Sequence, residues 1–298
     1  MTRRILLVGH STRADMHRLV DVVSEMLADA GIESVISANE LASHRGTSSL
    51  TAADPENPAR GCELVLVLGG DGTILRGAEA ARESDIPLLG INYGHIGFLA
   101  EAEPDDLTGT VERIVERDYY VEDRMTLDVE AYSGSHLLLT TWALNEVTVE
   151  KLSRERMIQA VIEIDGRPLS TWGCDGVIVA TPTGSTAYAF SAGGPVLWPD
   201  AESLLIVPIS AHALFARPLV VSPHSVAAVE LSRDVMGRAV MWCDGSRSVD
   251  LPADGRVVVR KGTRPVRLAK LSREPFTDRI VEKFELPVRG WRGASAGR

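Results

Sequence analysis

The sequence predicts two domains: an N-terminal doubly wound, Rossmann-like α/β domain over residues 1–102 and a C-terminal β-sandwich domain over 103–274. A last helix at 275–286 is expected to return to the first domain. Three observations carry this reading. Over the first hundred residues, apolar runs of strand length alternate with runs of helical period, the pattern of a mainly parallel sheet with helices on both faces. From about residue 120 the helical period gives way to short alternating runs broken by turn residues, as in a sandwich. The 298 residues, 45% of them apolar, exceed what one compact core usually holds and suffice to fill two.

Taken in order, "RRILLVGH" reads as a buried first strand, and "DMHRLVDVVSEMLADAG" carries apolar residues at helical spacing up to Gly31. The opening arginines and short apolar run turn polar too soon for a secretory leader and offer no small-residue cleavage site. "ESVISA" is the second strand. Residues 41–61, "LASHRGTSSLTAADPENPARG", are rich in Ser, Ala, Pro and Gly without periodicity and read as a mobile surface loop, of the kind that often borders an active site. "CELVLVLGG" is a continuous apolar run, the mark of a strand covered on both faces. "TILRGAEAARES" is helical, "IPLLGIN" is a strand, and "PDDLTGTVERIVERD" is a short helix with Pro104 in its first turn.

In the second half, "MTLDVEAY" and "HLLLTTWALNEVTVE" flank Ser133-Gly134-Ser135, and "MIQAVIEI" and "RPLSTW" flank Asp165-Gly166. Asp-Gly between apolar runs is a strong hairpin signal, and it recurs at Asp244-Gly245. "SVAAVELS", "RAVMWCDG", "RVVVRKG" and "VRLAKLS" continue the pattern to about residue 272. "FTDRIVEKFEL" reverts to helical spacing, and the last ten residues, "RGWRGASAGR", read as disordered. No repeat of solenoid period is present.

The formal charge of -10 argues against nucleic acid or an anionic membrane as the main partner, since both would be repelled over most of the surface. No apolar segment approaches the roughly 20 residues that cross a bilayer. Cys62, Cys174 and Cys243 have no paired spacing, which suggests neither a disulfide framework nor a zinc site and fits a reducing cytoplasm. Cys174 and Cys243 both stand in "CDG"; small buried residues entering turns are expected there rather than a thiol nucleophile.

The chemistry concentrates at residues 64–81, "LVLVLGGDGTILRGAEAA". A strand that ends in glycines and opens a helix gathers backbone N–H groups at the positive end of a helix dipole, where anions bind. The spacing is not that of a P-loop, no lysine follows, and G-x-G-x-x-G is absent. What stands there is Gly69-Gly70-Asp71-Gly72-Thr73, in which Gly69, Gly70 and Thr73 suit a phosphate donor. A carboxylate beside a phosphate repels it unless it serves a proton or a metal ion, which is kinase chemistry. Asp-Gly is equally a common turn and aspartate a common helix cap. The pentapeptide alone leaves both open.

"GGDGT" resembles the signature of a kinase superfamily that includes NAD kinases, diacylglycerol kinases and phosphofructokinases. Three further segments narrow the resemblance to the NAD kinase family: "GINYGHIGFLAE" (90–101), "LNEVTVE" (144–150) and "DGVIVATPTGSTAYAFSAGGPVLWP" (175–199), in the family's order and across nearly the whole chain. The resemblance implies a homodimer or homotetramer that moves the terminal phosphoryl of ATP, or of inorganic polyphosphate, to the 2′-hydroxyl of the adenosine ribose of NAD. It also implies a divalent ion, Mg²⁺.

Residue by residue, the resemblance makes Asp71 the general base, with Gly72 and Arg76 at the same site. It places NAD contacts at Asn92, Asn145, Glu146, Arg156 and Asp175, and along the long segment at Thr183, Ser185, Thr186, Ala187, Tyr188, Ala189, Phe190 and Ser191. His95 departs from the pattern and receives no role. Asn145 and Glu146 are chemically suited, since an amide both donates and accepts and a carboxylate accepts from ribose hydroxyls. Adjacent strand residues face opposite ways, so both can meet one ligand only at a twist, a bulge or a strand end. A lipid kinase sharing "GGDGT" and a non-catalytic NAD sensor, which has no need of Asp71, are the rival readings.

Overall fold

The computed structural model describes residues 2–9, 14–44, 47–92, 97–100, 106–154, 156–232 and 238–288. The chain divides into two compact units, residues 1–123 with 266–298, and residues 124–265.

The first unit runs β1 (Arg4–Val8), α1 (Ala14–Asp29), β2 (Glu33–Ile36), α2 (Ala38–Leu41), β3 (Leu50–Ala52), β4 (Leu64–Leu68), α3 (Asp71–Ser84), β5 (Leu88–Ile91), α4 (Leu107–Glu116) and β6 (Tyr120–Arg124). Its sheet has the order β3-β2-β1-β4-β5, extended by the late strand β19 (Val266–Lys270) and then β6. β1 pairs in parallel with both β2 and β4, so the winding reverses between β1 and β4. Ligands of doubly wound sheets gather at such a reversal, beyond the carboxyl ends of the strands. Every residue of β4 is buried, as its unbroken apolar run requires of a strand covered on both faces. Met16, Leu19, Val20, Val23 and Leu27 form the buried stripe of α1, and Gly31, at φ 73°, lies beyond its end.

Two expectations change here. Residues 41–61 are not devoid of structure: β3 pairs in parallel with β2, with Ser34 opposite Leu50, and Leu50 is buried. Three residues are too few for periodicity to show. The domain boundary also moves from 102/103 to 123/124, because Val111 and Ile114 of α4 join the core of the first unit and β19 pairs with β5, Leu268 opposite Leu88. The last helix, α6 (Phe276–Lys283), belongs to the first unit as well. Pro104, His95 and residues 289–298 lie outside the described residues.

The second unit contains β7 (Leu127–Ser133), β8 (His136–Ala143), β9 (Glu146–Lys151), β10 (Ile158–Ile164), β11 (Arg167–Cys174), β12 (Gly176–Ala180), a 3₁₀ turn (Thr183–Thr186), α5 (Tyr188–Ser191), β13 (Leu204–Ile209), β14 (Leu219–Val221), β15 (Ala227–Leu231), β16 (Ala239–Cys243), β17 (Arg247–Leu251) and β18 (Gly255–Lys261). They form two six-stranded sheets, β11-β10-β15-β18-β7-β8 and β14-β13-β12-β9-β16-β17. Alternate residues of both, among them Val129, Val147, Val149, Ile162, Trp172, Val179, Met241 and Val257, make one shared core. This is the expected sandwich. The Asp-Gly hairpins form as read, with positive φ at Asp165 (53°), Gly166 (74°), Asp244 (50°) and Gly245 (64°).

All three cysteines are free and buried. Burial pushes the Cys62 thiol up to about 11 and those of Cys174 and Cys243 up to about 12, which suits inert core residues rather than nucleophiles. Among the described residues no helix is long and apolar enough to cross a membrane.

Candidate active site

In the first unit the site grows from the exit of β4. Gly69 has φ 154°, and a Cβ there would stand 2.7 Å from Thr73 Oγ1, so only glycine fits the turn. Its N–H donates to Ile91 O at 3.0 Å, tying the turn to the end of β5. Gly70 caps α3, and nothing stands within 4 Å of where a Cβ would sit on Gly70 or Gly72, so the turn is open to a ligand. Thr73 is buried.

Asp71 is the first residue of α3, yet no side chain caps that helix. Its carboxylate turns to another segment, where Oδ2 accepts from Phe98 N–H and Oδ1 from Leu99 N–H, each at 3.2 Å. The helix-cap reading of Asp71 is thereby answered: the side chain is aimed by residues 27 and 28 positions onward. Gly97 makes this possible, since a Cβ there would collide with the carboxylate, whose carbon lies 3.0 Å from its place. Asn92, at the end of β5, is buried. Arg76 is exposed and donates to Gly9 O at 2.8 Å, linking α3 to the exit of β1. Its guanidinium therefore has a backbone partner on the protein itself.

In the second unit Asn145 and Glu146 lie where β9 begins, a strand end, which removes the geometric objection to their serving one ligand. A residue that the sequence reading treated only as a turn holds them. Asp244 accepts at Oδ1 from Asn145 N–H (2.8 Å) and Glu146 N–H (3.4 Å), at Oδ2 from Leu144 N–H (2.9 Å), and is paired with Arg247 at 2.9 Å. Thr181 adds a second tie, its hydroxyl donating to Leu144 O at 2.6 Å and its N–H to Asn145 O at 2.9 Å. Gly184 then lies against the Asn145 backbone so closely that a Cβ would overlap the carbonyl.

Glu146 is 8% exposed, and its Oε2 has no hydrogen-bond partner. Burial, then the Asp244 charge, pushes its carboxyl up to about 8, against the opposing pull of the Tyr188 backbone N–H; Glu150 adds a smaller upward push. Tyr188 is 37% exposed on α5, and its phenol is raised by burial and by Glu150, Glu146 and Asp175, which gathers these groups around it. Asp175, between β11 and β12, is paired with Lys151 at 2.5 Å.

The rest of the long segment divides between surface and interior. Ser185 is fully buried, its hydroxyl donating to Pro182 O at 2.6 Å and accepting from Leu197 N–H at 2.9 Å, so it folds the loop. Ala189, expected at the ligand, packs inward with Ile178, Ala180, Leu205 and Val207, because α5 needs an apolar face against its sheet. Thr186 donates to Thr183 O at 3.2 Å. Ala187 is half-buried, and Phe190, Ser191 and Arg156 are exposed. Among the described residues no group of three or more His, Cys, Asp and Glu side chains is arranged to hold a metal ion.

Open glycines at a strand-to-helix turn, with one carboxylate directed away from its own helix, are the equipment of a phosphotransferase. Comparison with known proteins gives the family. Residues 5–119 match the model of the ATP-NAD kinase N-terminal domain and residues 144–271 that of the ATP-NAD kinase C-terminal domain. The NAD kinase of Thermobifida fusca is 53% identical, over 99% of this chain and 93% of its own length. NAD kinase 2 of Streptomyces avermitilis is 53% identical over 98% and 97%. The NAD kinase of Mycobacterium leprae is 49% identical over 98% and 97%. A solved NAD kinase from Archaeoglobus fulgidus in complex with ATP superposes with TM-score 0.71 at 28% identity, covering 95% of this chain and all of that one. Yeast NADH kinase complexed with NADH shares the fold, with TM-score 0.85 at 21% identity over 96% and 89%. The chain belongs to the NAD kinase family and is an enzyme of that family.

Proposed function

We propose that this enzyme transfers the terminal phosphoryl of ATP, or of inorganic polyphosphate, to the 2′-hydroxyl of the adenosine ribose of NAD, giving NADP, with Asp71 as general base. The observation that carries the reading is the Asp71 carboxylate, turned off its helix at an open glycine turn and oriented by the Phe98 and Leu99 N–H groups. As the 2′-oxygen bonds to phosphorus, the bond from phosphorus to the leaving oxygen of the donor breaks, and the hydroxyl proton passes to Asp71. The leaving group is ADP or a shortened polyphosphate. Transfer of this kind has a loose transition state, so orientation and charge neutralisation supply most of the acceleration.

Asn145 and Glu146 are the proposed ribose contacts. Glu146 Oε2, buried without a partner, is suited to accept from a hydroxyl, since a satisfied acceptor would gain little. Tyr188 and Asp175 are proposed to meet another part of the dinucleotide, with Arg156 nearby in role. Mg²⁺ is proposed to enter on the donor's phosphates as part of the substrate, which is how that ion is commonly bound. The described residues fit this better than a resident ion, because they offer no carboxylate cage. A cytoplasmic homodimer or homotetramer completes the reading.

The test is NADP formation from NAD and Mg²⁺ with ATP, polyphosphate or no donor, with Asp71→Asn in parallel. Donor-dependent product from the wild type, lost in Asp71→Asn while NAD still binds, is the expected result. Undiminished turnover in Asp71→Asn would remove the base, and product with ATP alone would remove polyphosphate.

A further inference from the structure

The carboxylate of Asp71 is held by a segment that is itself held from behind. Residues 97–100 form no helix or strand, and their amides at Phe98 and Leu99 are the two donors to Asp71. A loop without a ladder of its own needs outside partners to stay in one conformation. Partners of this kind come from α6 and from Phe284, the residue that follows it. Arg279 Nη1 donates to Ala100 O at 2.5 Å and to Phe98 O at 3.3 Å. The Phe98 ring also meets Phe276 and Phe284, with centroids 6.1 and 5.8 Å away and planes tilted by 47° and 49°.

The Phe98 carbonyl and the Leu99 N–H are two ends of one peptide group. Arg279 therefore bonds the oxygen of the same amide whose N–H reaches Asp71 Oδ1. A cation on the carbonyl draws electron density toward oxygen and makes the N–H a stronger donor, the cooperative effect of linked hydrogen bonds. We propose that Arg279 is a positioning residue for phosphoryl transfer, fixing and polarising the Phe98–Leu99 peptide that orients Asp71, with Phe276 and Phe284 clamping the same segment. This rests on Asp71 being the base. α6 buries none of its residues fully, so its attachment contributes little to the core and a role in aiming the carboxylate is the better account of these contacts.

The experiment measures kcat, KM for NAD and ATP, and thermal midpoint in full-length Arg279→Met, Arg279→Lys, Phe276→Leu and Asp71→Asn. Arg279→Met is expected to lower kcat about tenfold or more with both KM values within about twofold, because misplacing a reacting group acts on the transition state. Arg279→Lys, which keeps a charged donor, is expected to recover part of that loss. Wild-type kcat in Arg279→Met alongside an inactive Asp71→Asn would overturn the positioning role and leave the base intact. Wild-type turnover in Asp71→Asn would overturn the base and this inference with it. Should Arg279→Met also lose thermal stability, Phe276→Leu decides: a lower kcat at unchanged KM supports the clamp, and an unchanged kcat overturns it.

Discussion

Replacing Glu146 with glutamine is expected to stabilise the ligand-free protein at alkaline pH while weakening its hold on NAD. Burial is the largest cause of the raised carboxyl, the neighbouring Asp244 charge the second, and Glu150 adds to them against the Tyr188 N–H, so the group sits at about 8 rather than its ordinary 4.5. Between those two values the folded protein keeps the proton that the unfolded chain has released. Stability therefore falls as pH rises through this window and levels off above it; below it both states are protonated and nothing is lost. At about 1.4 kcal/mol per pH unit, the cost relative to a neutral side chain is about 2 kcal/mol at pH 6 and about 4 kcal/mol at pH 8.

Urea unfolding of both proteins without NAD, at pH 6 and pH 8, reads this directly. The stability gap between Glu146→Gln and wild type should widen by about 2 kcal/mol from the lower to the higher pH. That change is independent of what the amide itself gains or loses in packing. Asp244, also raised by burial and tied to the Leu144, Asn145 and Glu146 amides and to Arg247, stays in both proteins, and its repulsion of the Glu146 charge is part of what Glu146→Gln relieves. A gap that stays constant between the two pH values would refute the reasoning. Calorimetric titration with NAD should show the opposite preference, tighter binding by the wild type.

Three further substitutions probe the scaffold. Gly97→Ala would drive a methyl group into the Asp71 carboxylate and should cut kcat with little change in thermal midpoint. Asp244→Ala strands the buried Leu144 and Asn145 amides and removes the carboxylate that pairs with Arg247; urea denaturation should register a loss of about 3–5 kcal/mol. Gly184→Ala overlaps the Asn145 backbone and should cost about 1–3 kcal/mol by the same measurement, with weaker NAD binding.

What was legible in the sequence was whatever local pattern decides. Strand β4 announced itself as five apolar residues in a row, and the hairpins at Asp165-Gly166 and Asp244-Gly245 by a dipeptide that tolerates positive φ. Strand β19 was assigned to the sandwich because alternation marks a strand but not its sheet: it pairs with β5, which it follows by more than 170 residues, and no local signal encodes that choice. The short β3 offered too few residues for any period. At the site, residue types were readable and directions were not. Asp71 could be read as a helix cap until the Phe98 and Leu99 amides showed that its carboxylate points away from its own helix. Asp244 was read as a turn because its second role depends on β16 pairing with β9, Cys243 opposite Val147, which brings the hairpin tip under Asn145. The usable hint was the arginine three residues on, a partner that a solvent-exposed turn does not need.

The two carboxylates are treated in opposite ways, and the difference follows the proposed division of labour. Asp71 is given two amide donors and stands on an open turn, so its orientation is set before any ligand arrives. A base that must meet one hydroxyl along one line gains from such orientation, because reorganisation is then not charged to the transition state. Glu146 keeps one oxygen buried and unpartnered, next to another carboxylate, in an arrangement that costs the ligand-free protein stability. Such a cost persists when something offsets it, and a ribose hydroxyl supplies the missing donor only when the dinucleotide is bound. Destabilisation at Glu146 thus becomes discrimination: a ligand lacking a hydroxyl at that point leaves the oxygen as it was and forfeits the gain. On this argument NAD analogues without the contacted hydroxyl should lose more affinity in the wild type than in Glu146→Gln, and equal losses in the two proteins would separate the buried oxygen from recognition.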